Sequence, residues 1–323
     1  MLAAYAVAAS AEDPLSAMRV GEIEPPPTPE GWVEVTVRAT ALNHHDLWAL
    51  RGVGLPADRL PMVLGCDAAG VTADGRAVVV HGVLNDPGFT GADTTTDPRR
   101  SLLSERYPGT HAATVRVPAA NLVDLPEGLG FAEAACLPTA WLTAYRMLFT
   151  SAGVRPGDTV LVQGAGGGVA TALVLLGSHA GLRMWVTSRT PEKGERAVAL
   201  GADRAFAAGE RLPERVDAVM ETVGAATWSH SVNALRPGGT LVISGTTSGA
   251  EPPSAELTKI FFKPLRVVGS TMGTREELAA LTRMLATTGV RPVVDRTLPL
   301  AEAADGFAAM LAGELFGKVV FEP

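Results

Sequence analysis

Three stretches of the chain carry side chains or backbone that could do chemistry. The first is Asn43-His44-His45-Asp46, an amide, two imidazoles and a carboxylate in succession. Such groups donate hydrogen bonds and move protons near neutral pH. The second is Gly164-Ala165-Gly166-Gly167-Gly168. It follows the branched apolar run Thr159 to Gln163 and precedes Val169 to His179, which is rich in Ala and Leu. A strand, a glycine turn and a helix in that order leave free N–H groups and the positive end of a helix dipole where the chain turns, which is a cradle for phosphate. Written Ala165-x-Gly167-x-x-Ala170, the turn keeps the middle glycine of the dinucleotide pattern, the one that admits a pyrophosphate. The third is Ser188-Arg189-Thr190 with Lys193, roughly 20 positions beyond Gly167, where a carboxylate would bind a free ribose 2′-hydroxyl. A hydroxyl, a guanidinium and an ammonium suit a 2′-phosphate instead, and they favour NADPH over NADH.

These groups need elements to hold them. Around the glycine turn the chain alternates strand and helix. Arg183 to Thr187 reads as a strand, the stretch holding Lys193 and Arg196 as a helix, and Val216 to Met220 as a strand. Ala226 to Leu235 then reads as a helix, Pro237-Gly238-Gly239 as a turn, Thr240 to Ser244 as a strand and Leu265 to Ser270 as a last strand. This alternation predicts a parallel sheet covered on both faces. The first third is different. Ala3 to Ala8 is a candidate strand, a proline cluster spans Pro25 to Pro29, and Gly31 to Ala39 alternates apolar and polar residues as a half-buried strand does. Ala77 to His81 and Thr114 to Val117 read as further strands, and residues 82–110 as a polar surface lobe or mobile loop. Phe131 to Thr150 reads as helix interrupted at Pro138. After Gly273, Arg275 to Thr288 has helical periodicity, and Asp295 to Leu300, Ala301 to Leu311 and Lys318 to Phe321 read strand, helix, strand.

Composition narrows the function classes. The 323 residues suffice for two domains, and 47% hydrophobic with 19% charged residues excludes a disordered chain. A net charge of −7 gives no electrostatic case for nucleic acid or an anionic membrane. No apolar run reaches the length of a membrane span, and the Ala-rich start, lacking a basic region, does not read as a signal peptide. Two cysteines, Cys66 and Cys136, make no disulfide framework. A cytoplasmic protein is the expectation.

Five blocks in order give the chain a resemblance. They are Ala41-Leu42-Asn43-His44-His45-Asp46-Leu47-Trp48, Gly65-Cys66-Asp67-Ala68-Ala69-Gly70, Leu137 to Tyr145, Val162 to Ala170, and Leu235-Arg236-Pro237-Gly238-Gly239. Over essentially its whole length the sequence resembles the medium-chain dehydrogenase/reductase superfamily, in its zinc-free, quinone-oxidoreductase-like branch. The resemblance implies an α/β fold, with a Rossmann doubly wound parallel sheet inserted into a β-rich GroES-like catalytic domain. The expected boundaries are 1–120 for the first part of the catalytic domain, 121–273 for the nucleotide domain and 274–323 for the rest. It implies an active site in a cleft, with NADP(H) bound by Thr143, Ala165, Gly166, Gly167, Gly168, Val169, Ser188, Arg189 and Lys193. Thr222, Val223, Ser244, Gly245, Thr246 and Lys318 complete that expected set.

Zinc-dependent members of the superfamily use a Cys, a His-Glu pair and a later Cys or Asp. Here those places hold Asn43, the pair Cys66-Asp67, and a position near Leu137 or Pro138. One thiol and one carboxylate do not supply three good zinc ligands, and residues 82–110 contain none of the cysteines of the structural zinc lobe. No metal is therefore expected. Cys66 reads as a small buried thiol. Without a Lewis acid, reduction of a conjugated C=C bond is the least demanding hydride chemistry, because charge spreads onto the carbonyl oxygen as an enolate. Asn43, His45 and Asp46 are the catalytic candidates: Asn43 as an amide donor and His45 as proton source, with Asp46 fitting equally a cap for the helix that starts at Leu47. The expected activity is an NADPH-dependent reductase of quinones or α,β-unsaturated carbonyls. The alternatives are a zinc-independent alcohol or carbonyl oxidoreductase, or a low-activity NADPH-binding sensor. A homodimer is expected, pairing through the edge strand Leu265 to Ser270.

Overall fold

The computed structural model describes every residue except Pro26, so that member of the proline cluster lies outside the described residues. The chain forms two compact units: residues 1–140 with 274–323, and residues 141–273. Residues 121–140, expected with the nucleotide domain, pack in the first unit instead. The strand Leu122–Asp124 explains this, because it pairs with Ala77–Val80 and extends the first unit's main sheet.

That sheet has seven strands. The path runs Leu122–Asp124, Ala77–Val80, Ala68–Thr72, Trp32–Ala41, Lys318–Glu322 and Val294–Pro299, and Thr114–Pro118 pairs with the start of Trp32–Ala41. Its alternation of buried and open positions is the one that the sequence of Trp32–Ala41 displays. The last strand arrives from the far end of the chain and pairs antiparallel with Trp32–Ala41, Val320 opposite Ala41 and Phe321 opposite Thr40. Phe307, Phe321, Leu42, Leu50 and Leu64 fill one core of this unit. Residues 82–110 are not a loose loop. Val83–Leu84 pairs with Ser101–Leu102, and the nearly fully buried Asp97 accepts from the N–H groups of Asp86 (2.7 Å) and Arg99 (2.8 Å). The stretch expected to break at Pro138 continues as helical turns to Ala152, with π-helical segments at Leu137–Trp141 and Arg146–Ala152. Widening the turn at Pro138 accommodates a residue that has no N–H to donate and whose ring crowds the preceding turn.

The second unit is a six-stranded parallel sheet. We label its elements β1 (Thr159–Val162), α1 (Gly168–His179), β2 (Arg183–Ser188), α2 (Pro191–Ala199), β3 (Arg204–Ala207), β4 (Val216–Glu221), α3 (Trp228–Ala234), β5 (Leu235–Ile243), α4 (Leu257–Phe262) and β6 (Arg266–Gly269). The strand order is β3-β2-β1-β4-β5-β6, all parallel, with the order reversing at β1. That is the doubly wound arrangement in which ligands bind beyond the carboxyl ends of the strands at the switch point. The continuous burial of β1 and the near-complete burial of β4 follow from helices covering both faces.

Candidate functional site

The first unit gathers a buried polar cluster at one end of its sheet. Ala68 pairs with Thr40, which puts Asp67 beside Ala41, and the pairing of Val320 with Ala41 brings Lys318 alongside Leu42 and Asn43. The Lys318 ammonium is 3% exposed and donates to Leu42 O and Asn43 Oδ1 at 2.6 Å each, and to Asp67 Oδ2 at 3.3 Å. Asn43 donates from Nδ2 to Asp67 Oδ2 (2.8 Å) and Ala41 O (3.2 Å), with Cys66 Sγ at 3.8 Å. Thr139, the one partly exposed member, donates to Asp67 Oδ1 at 2.6 Å and lies 3.3 Å from Cys66 Sγ. Burial raises the Asp67 carboxyl above its ordinary value, and Lys318, Asn43 and Thr139 pull it only part of the way back. Burial, with Asp67 and Asp46 nearby, pushes the Cys66 thiol well up, so it stays protonated.

These contacts revise several expectations. Both N–H groups of Asn43 are spent on the protein, so its amide frames the cluster rather than facing a substrate carbonyl. Lys318, expected among the cofactor ligands, gives its three contacts to the first unit itself. Asp46 is fully buried and accepts from the N–H groups of Asn43 (2.8 Å) and Gly65 (2.9 Å), with His111 Nε2 at 3.5 Å. It fastens the start of the helix His44–Leu50 to the Gly65-Cys66-Asp67 turn, which is a structural role and not a catalytic one. Burial alone would raise its carboxyl, but His111, His45 and the Asn43 N–H outweigh it and hold the pKa below 3.8. The later ligand place is filled by Thr139, and not by Leu137 or Pro138. The His45 side chain is 20% exposed, but its Nε2 is itself buried, 3.8 Å from Glu105 Oε1 and without a hydrogen-bond partner among the described residues. His44 is more open; crowding by protein and then the charges of Lys318 and Arg51 lower its imidazole pKa.

The second unit holds the other expected residues. Gly167 caps α1 at φ −74° and is exposed, and a methyl group there would meet nothing within 4 Å. Ala165 and Gly166 are buried, while Gly168 and Val169 open the helix half-buried. No acceptor among the described residues faces the N–H groups of Ala165, Gly166 and Gly167. Ser188 ends β2 and donates to Thr190 O at 2.7 Å, Arg189 is exposed, and Lys193 lies in the first turn of α2. Ser188 and Arg189, though not Lys193, line a groove of about 660 Å³ between α2 and β3. Thr222 and Val223 follow β4, and Ser244, Gly245 and Thr246 follow β5. Ser244 Oγ donates to Met147 Sδ at 3.0 Å. Thr143 is buried on the helix Leu142–Tyr145.

Comparison with known proteins bears on both units. Residues 29–127 match the family Alcohol dehydrogenase GroES-like domain, and residues 168–287 the family Zinc-binding dehydrogenase. A zinc-type alcohol dehydrogenase-like protein, YogA, of Leptosphaeria maculans is 30% identical over 93% of this chain and 92% of its own. The chain belongs to the medium-chain dehydrogenase/reductase superfamily. It is an oxidoreductase of the medium-chain type, for which a nucleotide cofactor is supported. Its fold is also that of an NAD-dependent alcohol dehydrogenase, with a TM-score of 0.91, 32% identity and all of both chains covered. The 2-octenoyl-CoA carboxylase reductase CinF, solved with NADP and 2-octenoyl-CoA, superposes with a TM-score of 0.90 at 26% identity, over 99% of this chain and 87% of its own.

The zinc that one family name implies does not fit the first unit's cluster. Its donors are an amide committed to its neighbours, a thiol held protonated, a hydroxyl, and a carboxylate already paired with an ammonium. Zinc requires deprotonated, available ligands. Among the described residues, no group of three or more His, Cys, Asp or Glu is placed to hold a metal ion. A nucleotide phosphate does fit the second unit, where the open face at Gly167 and the N–H groups of the turn are free to receive it. No helix of the described residues is long and apolar enough to cross a membrane.

Proposed function

We propose that the protein is an NADPH-dependent, metal-independent reductase acting on a quinone or an α,β-unsaturated carbonyl. The observation that carries this reading is Lys318. Its ammonium sits in the cluster that a metal would need and compensates Asp67 there. An enzyme without a Lewis acid is suited to conjugate reduction, where the developing charge is delocalised. When bound, the nicotinamide nucleotide supplies the hydride. Ala165, Gly166 and Gly167 offer backbone N–H groups to its pyrophosphate, and Ser188, Arg189 and Lys193 offer donors to a 2′-phosphate. His45 holds the proton that completes the reduction at the α-carbon, and Lys318 and Asp67 keep Asn43 and the helix bearing His45 in place.

A homodimer joined through the second unit belongs to the same reading. The outer edge of β6 has no partner strand among the described residues, and Leu257, Phe261, Phe262 and Val267 are 42–74% exposed on α4 and β6. Phe261 and Phe262 stack at 4.6 Å, a patch that a second copy would cover. Light scattering should return twice the mass of one chain.

The test is oxidation of NADPH against a panel of quinones, enones, enoyl thioesters, aldehydes and ketones. Turnover confined to the first three classes supports the reading, and turnover confined to aldehydes and ketones refutes it. Arg189→Ala should cost about 1.5–3 kcal/mol in NADPH binding and little in NADH binding. Equal losses for the two nucleotides would remove Arg189 from phosphate recognition.

A further inference from the structure

Beneath the glycine turn runs a buried chain of hydrogen bonds that the proposed chemistry does not use. It starts at Glu221, the last residue of β4, which is fully buried. Glu221 Oε1 accepts from the N–H groups of Val223 (2.7 Å) and Gly224 (3.0 Å), and Thr227 Oγ1 donates to the same carboxylate. Ser231 Oγ on α3 donates to Oε2 at 2.6 Å. With its proton given to the carboxylate, Ser231 accepts from Gln163 Nε2 at 2.9 Å. That fixes the Gln163 amide. Nε2 also faces His230 Nδ1 at 2.9 Å, and Oε1 accepts from Thr187 Oγ1 at 2.8 Å. Thr187, having donated, accepts from the Gly164 N–H at 3.1 Å. His230, its Nδ1 occupied as an acceptor, carries its proton on Nε2 and donates to Glu210 O at 2.8 Å. Each donor assignment follows from the one before, because a carboxylate that receives two backbone N–H groups and two hydroxyls is an acceptor throughout.

We propose that Glu221, Ser231, Gln163 and Thr187 are positioning residues that set the first peptide of the nucleotide-binding turn. Gly164 stands at φ +88°, the left-handed conformation in which the chain leaves β1 for the cradle. Its N–H is taken by Thr187, so the N–H groups that follow are the ones left for phosphate. The same chain ties the carboxyl ends of β1, β2 and β4 to one another, at the end of the sheet where the nucleotide is read to bind. Sharing donors in one direction makes the arrangement cooperative and single-valued. The proposal rests on the reading that the turn holds a nicotinamide nucleotide, and it holds whichever nucleotide is preferred.

Two measurements test it. Dissociation constants for NADPH and NADH are taken on the full chain, on Thr187→Val and on Thr187→Ser. The isosteric valine should weaken the preferred nucleotide about tenfold, and serine, which keeps the hydroxyl, should restore it. In ¹⁵N-histidine-labelled protein at pH 8, among six histidines, His230 should be the neutral Nε2–H tautomer. Glu221→Gln turns an amide toward Ser231, which reverses each donor as far as Gln163, and His230 should then carry its proton on Nδ1. Parent-like affinity in Thr187→Val, failure of Thr187→Ser to rescue, or an Nδ1–H tautomer in the parent would overturn the proposal. So would an unchanged tautomer in Glu221→Gln. Binding of neither nucleotide by the parent would overturn this proposal and the functional reading together, whereas parent binding with an indifferent Thr187→Val overturns this proposal alone.

Discussion

The two units place polar groups in opposite ways. In the first, Asn43, Asp67 and Lys318 come from segments up to 275 residues apart and close on one another, each donor spent on a neighbour. In the second, Ala165, Gly166 and Gly167 come from one local turn whose N–H groups stay open. A closed cluster contributes a fixed charge pattern and stability, whereas an open one contributes a binding site. Substitutions should therefore act on folding in the first unit and on ligand affinity in the second.

The sharpest break in that contrast is Lys318→Met. It leaves the Asp67 carboxylate buried without its cation, and we expect a loss of roughly 3–5 kcal/mol in denaturant unfolding. Adding Asp67→Asn should recover most of it. A Lys318→Met protein as stable as the parent would show that the pair is not what holds the cluster.

Glycines sharpen the comparison. Gly65 stands at φ +92°, and a Cβ there would lie 2.6 Å from His111 Nδ1 and Thr110 Oγ1. Gly65→Ala should cost about 2–4 kcal/mol of stability. Gly167→Ala has room and an ordinary φ, so its melting temperature should match the parent, while a methyl group on the open face of the turn should weaken nucleotide binding.

His45 separates chemistry from framework. His45→Ala should lower turnover by about 10²-fold or more with nucleotide affinity nearly unchanged, because a proton donor acts mainly in the transition state. Single-turnover hydride transfer unchanged across pH 5–9 in parent and variant would take His45 out of the mechanism.

The smallest effect is one of sign. Asp46 has a lowered pKa, so its stabilisation is present above pH 3.8 and is lost as pH falls further, through the folded value. Asp67 has a raised pKa, so its unfavourable contribution above that value is relieved on protonation. The stability gap between parent and Asp46→Asn should narrow as pH falls below about 4, and a gap that widens would contradict the assignment.

Local signals in the sequence carried the second unit far. The glycine turn and the alternation of strands and helices depend on neighbours in the chain, as does, in the first unit, the helix Arg275–Thr288 behind its Thr274 cap. The first unit's cluster depends on sheet register. Nothing near Lys318 announces that strand pairing will seat it on Asn43, and a proline at 138 reads as a break unless the surrounding turns widen. The helix α4 carries no inward apolar face to mark it in the sequence, because Leu257, Phe261 and Phe262 are exposed. The network through Gln163 joins residues whose spacing has no period. Asp46 was readable as a cap or as a catalyst, and only its burial and its two backbone donors decide between them.

The central claim is hydride transfer to a conjugated acceptor without a metal. It is tested most directly by measuring NADPH oxidation with an enone or quinone before and after exhaustive treatment with a strong chelator, alongside elemental analysis of both samples. The account predicts the same rate in both and no stoichiometric zinc in either. A rate that collapses on chelation and returns with about one zinc per chain would contradict it.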